Sequence, residues 1–222
     1  MDNDNLYLSI IDRIKEASPT IGKMFEVGFD YAPYVSRVLQ TIKLIRLERR
    51  FNEHKTKFDR IAKLASETKL SADYINQRIF PIVITDLIEE HEDAKITLIL
   101  NGYENVFINE STNESIIINY SDTLRGLRYA DIMRFFYLAN ATETYSFYPR
   151  DSEENALVRN IDNKLDRLGL IKIFTRVGES KGLEFDTDKD KINLTMYGDR
   201  FLRFILESEA LLEVNQEGSY FT

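Results

Sequence analysis

Apolar residues recur at helical spacing along most of the chain, and the clearest pattern runs from Asn155 to Leu206. Leu157, Ile161, Leu165 and Leu168 fall at steps of three and four, which predicts a helix with one buried face. Gly169 stands where a left-handed residue ends a helix, and Leu170 supplies the apolar contact that follows such an end. Ile171, Ile173 and Thr175 then alternate with Lys172, Phe174 and Arg176, the two-residue period of a strand, until Gly178-Glu179-Ser180-Lys181-Gly182 breaks it. Phe185 to Leu194 can return antiparallel, and Thr195-Met196-Tyr197-Gly198 leads into a last helix with Phe201, Leu202, Ile205 and Leu206 inward. Two helices are expected before this, one capped by Ser121-Asp122 and passing through Leu124 and Leu127, the other from Tyr129 to Ala139. Helix, helix, strand pair, helix is the order of a winged helix. The chain is therefore expected to be mainly α, with a helical region over 1–114 followed by an α+β winged-helix domain over 115–222.

The first region reads as a series of helices. Leu6, Ile10, Ile11 and Ile14 mark a short amphipathic segment closed by Ser18-Pro19. Residues 20–34 are apolar, but Lys23, Glu26, Asp30 and Pro33 interrupt them, so a transmembrane span of ~20 apolar residues is excluded; a helix packed on the core is the expectation, with an interfacial helix as the alternative. Tyr34 to Thr68 has no Gly or Pro and predicts one long helix, its stripe passing from Val38, Ile42 and Ile45 to Phe51, Phe58 and Ile61. Ser71 is placed to cap the next helix, and Pro81 to reset the chain before Ile82, Val83, Leu87 and Ile88. Asn101-Gly102 between two apolar runs is a strong hairpin signal, and the same residues fit a helix with one awkward glycine.

Charge divides this region sharply. Residues 37–69 hold ten Lys or Arg against four Asp or Glu, whereas residues 70–122 hold two against ten, so the blocks are complementary and can face one another in the fold or in a dimer. Arg46, Arg49, Arg50, Lys57 and Arg60 lie on the basic helix, where they are candidates for phosphate or anionic-lipid contact. In the second domain Arg159, Asn160, Asn163, Lys164 and Arg167 are candidates to meet a nucleic acid or a protein partner. From Thr123 onward, however, 14 basic residues face 17 acidic ones, without the positive excess that DNA-binding modules carry.

No catalytic constellation stands out. The absence of cysteine excludes disulfides, thiolate metal sites and thiol nucleophiles, and His54 and His91 are the sole imidazoles. Asp186, Asp188 and Asp190 match the start of a calcium loop, but Lys191 stands where the turn needs Gly and Tyr197 where it needs Glu. Glu179 and Lys181 match a nuclease pair by spacing alone, and the acidic run around His91 reads as a helix end. No phosphate-cradling glycine loop or nucleophile elbow occurs. The expectation is a non-enzyme without cofactor or metal. The acidic opening MDNDN lacks a secretory pattern, so a cytoplasmic location is expected.

The stretches LERRFNEHKTKFDRIAKLA, FPIVITDLIEEHEDAK and LDRLGLI with INLTMYGDRFLRFI give the whole chain a resemblance to the abortive-infection alpha family of bacterial and phage-related proteins. That resemblance implies a role in defence against phage by a non-enzymatic route, and it favours a helix over 96–108. The reading is then an interaction protein acting as a homodimer or as a subunit of a larger complex, the apolar length of the 34–68 helix being its assembly surface. A winged-helix transcription regulator and a membrane-acting effector using residues 21–31 are the alternatives.

Overall fold

The computed structural model describes residues 37–146, 148, 149, 151–174 and 189–207, with Asp12 and Glu16 as isolated helical positions. Residues 20–34 and the greater part of the expected connection between the two strands lie outside this set, as does everything after residue 207. The chain is mainly helical with a small antiparallel pair of strands. It divides into two compact units, Met1–Arg125 and Gly126–Thr222.

In the first unit the expected long helix is two, α1 (Arg37–Glu53) and α2 (Lys55–Glu67), separated at His54, whose φ of −113° and ψ of 24° leave the helical region. Neither Gly nor Pro marks the break. Across it the rings of Phe51 and Phe58 stand 5.0 Å apart, whereas seven residues of straight helix advance about 10.5 Å. The interruption goes with a closed aromatic contact on the buried side.

Ser71 caps the next helical run as expected, its hydroxyl accepting from the Tyr74 amide at 3.2 Å. That run continues from α3 (Ala72–Tyr74) through a π turn (Ile75–Ile79) into α4 (Phe80–Glu89). Pro81 therefore does not reset the chain. Proline lacks an amide proton and its ring crowds the carbonyl four residues back, and the wider turn immediately before it accommodates both demands without ending the helix.

The ambiguous segment is a helix, α5 (Ile96–Ile108), entered through the 3-10 turn Asp93–Lys95. Every residue from Leu98 to Phe107 is buried, so α5 is the central element of the unit, packed against α2 and α4. A hairpin would have exposed one side of each strand. The Ile116–Ile118 run starts α6 (Glu114–Gly126), and Ser121, expected as a cap, is buried in its middle. The first compact unit runs to Arg125, and α6 sends Arg125 onto Asp86 of α4.

The second unit contains α7 (Tyr129–Leu138), α8 (Glu153–Arg167), β1 (Ile171–Ile173), β2 (Ile192–Leu194) and α9 (Met196–Ile205). Ser152 caps α8 at the Asn155 amide. At its other end Gly169, with φ of +70°, donates to Asp166 while Leu170 donates to Leu165, the double bond of a left-handed helix stop. The strands pair Ile171 with Leu194 and Ile173 with Ile192. Thr195 then caps α9, accepting from the Gly198 amide at 2.8 Å and donating to the Gly169 carbonyl. Gly198 is required by proximity: a Cβ there would lie 1.9 Å from the Leu170 carbonyl oxygen. Phe201, Leu202 and Ile205 are buried, whereas Leu157, expected inward on α8, is 56% exposed.

Candidate functional site: two sets of charged residues

The basic block of the first unit meets the acidic block inside the fold. α1 lies against α4, and its cations reach the carboxyl end of that helix, where the last carbonyls have no helical partner and carry the negative end of the dipole. Arg50 is the deepest, 1% exposed. Its guanidinium donates to the Leu87 carbonyl, to the Glu90 carbonyl at 2.8 Å and to Asp93 at 2.7 Å. Arg46 donates to the Ile88 carbonyl at 2.9 Å, and Lys43 meets Glu89. Arg49 takes both oxygens of Asp93 at 2.9 and 2.8 Å. Held first by Arg50 and then by Arg49, the Asp93 carboxyl lies below the usual carboxylate range.

The acidic run containing His91 is the expected exposed helix end, and it also receives the cations of α1. Glu90 folds back to accept from the amides of His91 and Glu92 at 2.7 and 2.9 Å, and it pairs with Lys95, itself 2% exposed. Next along the chain, Lys57 and Arg60 of α2 both meet Glu104 on the central helix, Lys57 at 3.0 Å. Glu104 is 1% exposed, and burying a carboxylate is costly unless cations meet it there. All five residues singled out on the basic helix therefore have acceptors within their own unit.

One further pair in this unit is unbalanced. Asp86 is buried on α4 with Arg125 of α6 as its cation, and Arg125 also bonds Asp122. Burial outweighs the guanidinium and pushes the Asp86 carboxyl up to about 6.

In the second unit the candidate residues of α8 divide. Lys164 turns back to Asp131 of α7 at 2.5 Å, and Arg159 bonds Asn155 at 2.8 Å within its own helix. Asn160, Asn163 and Arg167 are exposed, as are Leu157, Glu153 and Glu154. Asp162 is 1% exposed and takes both arms of Arg134 at 2.8 and 2.9 Å. The same guanidinium lies 4.8 Å from the Tyr145 ring centroid, and Tyr137 and Tyr145 stack at 5.3 Å. Sequence reasoning missed this pair because its members stand 28 residues apart; the available signal was a charged residue set between Ile161 and Leu165 on the buried stripe.

Among the described residues no group of three or more His, Asp or Glu is placed to hold a metal ion, and no helix is long and apolar enough to cross a membrane. Compared with known proteins, the chain matches no family model, no curated sequence and no solved structure.

Proposed function

We propose that this chain is a non-enzymatic protein-interaction module, with the second unit as its winged-helix contact domain, serving a phage-defence system of the abortive-infection type. One observation carries the reading: Arg46, Arg49, Arg50, Lys57 and Arg60 are engaged by carboxylates and carbonyls of their own unit. Cations already paired in this way release few counterions on meeting a phosphate backbone, and that release drives nucleic-acid binding. The helix, helix, strand, strand, helix order of the second unit supports the winged-helix assignment, and the resemblance noted in the sequence supplies the defence context.

The runner-up is a DNA-binding regulator, favoured by the outward Asn160, Asn163 and Arg167 on the helix that would enter the major groove. Selection from a random-sequence duplex pool separates the two. The interaction reading predicts no enriched sequence in the bound fraction. An enriched site, lost when Asn160→Asp and Arg167→Glu are introduced together, would establish the regulator instead.

A further inference from the structure

The outer face of α8 is self-complementary. Glu153, Ala156, Leu157, Asn160, Asn163 and Arg167 are exposed on it, and the part-buried Lys164 lies along it. At 100° per residue these seven positions fall within about 60° of Asn160 on either side, whereas the buried Asn155, Ile161, Asp162 and Leu165 all fall outside that arc. Asn160 is thus the midpoint of the face both around the helix and along it. The two ends differ in sign, acidic at Glu153 and basic at Arg167. Such polarity also suits the helix's own dipole, but the dipole gives no reason for Leu157 to stand 56% exposed beside the midpoint.

Resting on the interaction reading above, we propose that this face binds a second copy of the chain, with the two α8 helices antiparallel about a two-fold axis at Asn160. An isologous contact requires a patch that complements itself after rotation. Here the rotation sets Asn160 against its own counterpart, Glu153 against Arg167 twice over, and Leu157 against the stretch Asn163–Lys164, where the aliphatic stem of lysine covers an apolar neighbour. The steps 153, 157, 160, 164, 167 follow the four-three spacing of a helix–helix seam, and a polar Asn within a seam fixes register and partner number.

The chain contains no cysteine, so a single introduced thiol reports on the axis. Asn160→Cys treated with a short bis-maleimide is expected to give a covalent dimer, whereas Ser115→Cys on α6 of the first unit is expected to stay monomeric. In sedimentation velocity, Glu153→Arg is expected to shift the chain to monomer, as is Arg167→Glu, and the two reversed together are expected to restore the dimer. Restoration separates a lost contact from a misfolded chain. A monomeric wild type, or a dimer indifferent to these reversals, overturns the proposal. Neither outcome touches the interaction reading itself, which the duplex-pool selection decides.

Discussion

Arg134 and Asp162 join α7 to α8 through two parallel hydrogen bonds of 2.8 and 2.9 Å, with both side chains almost wholly removed from solvent. Removing one partner leaves the other charge buried and unpaired, a loss of about 3–5 kcal/mol. Asp162→Leu and Arg134→Met are each expected to lower the urea midpoint strongly. The double variant Arg134→Met with Asp162→Leu is expected to recover a large part of the loss, which a double-mutant cycle measures.

Gly198 is expected to tolerate no side chain. An added Cβ would lie 1.9 Å from a backbone oxygen, and backbone cannot swing aside as a side chain can. Gly198→Ala should cost at least about 1–3 kcal/mol through overpacking and loosening of the Thr195 cap. Gly169→Ala should cost about 1–2 kcal/mol for its positive φ alone, since open space surrounds that position. Thermal unfolding of the two variants should therefore rank Gly198→Ala at or below Gly169→Ala.

Tyr103 offers the opposite sign. Its hydroxyl is buried in the core beside Phe80 and Phe107 with no hydrogen-bond partner among the described residues, and burial pushes its ionisation far upward. Tyr103→Phe removes the unmet group while keeping the ring, so it is expected to raise stability by about 1 kcal/mol in chemical denaturation.

Asp86 gives a pH dependence whose direction follows from its environment. Burial raises its carboxyl from 3.8 to about 6, so the folded chain holds that proton more tightly than the unfolded chain does. The stabilisation is fully present below the unfolded value and is lost as pH rises through about 6, a change of about 3 kcal/mol. Asp86→Asn should flatten this descent between pH 4 and 6 in a series of urea midpoints. Asp93 acts in the other sense: Arg50 and Arg49 depress its carboxyl, so its contribution is present above the ordinary carboxylate range and is lost as pH falls through the lowered value.

The legible features were those written locally. Gly169 with Leu170 announces its helix stop because one left-handed residue and one apolar contact suffice, and Ser71 announces a cap within three residues. Asn101-Gly102 misleads for the same reason, since a turn signal is local and the burial of α5 on all sides comes from elements distant in sequence. The helical reading of 96–108 came from the resemblance rather than from the residues. His54 interrupts the long helix without a breaker residue, and Pro81 fails to interrupt one because the π turn before it absorbs the strain. Leu157 fits the apolar period of α8 yet points outward, because periodicity identifies a set of apolar positions and not which of them the neighbouring elements cover.

The basic and acidic blocks were visible as complementary charge, but sequence alone could not tell an internal pairing from a partner surface. The geometry pairs them inside one unit, through Arg50 on Asp93 and through Lys57 and Arg60 on Glu104. That pairing is the ground on which we propose protein rather than phosphate contact.

The salt dependence of duplex binding tests this claim most directly. Each phosphate contact contributes about −0.9 to the slope of log affinity against log salt. Fluorescence anisotropy with the wild-type chain and with Arg49→Gln, Lys57→Gln and Arg60→Gln combined, Glu104→Gln being added so that no buried carboxylate is left without its cations, should give weak binding and the same shallow slope for both. A steep wild-type slope that flattens by about three contacts in the variant would contradict the account.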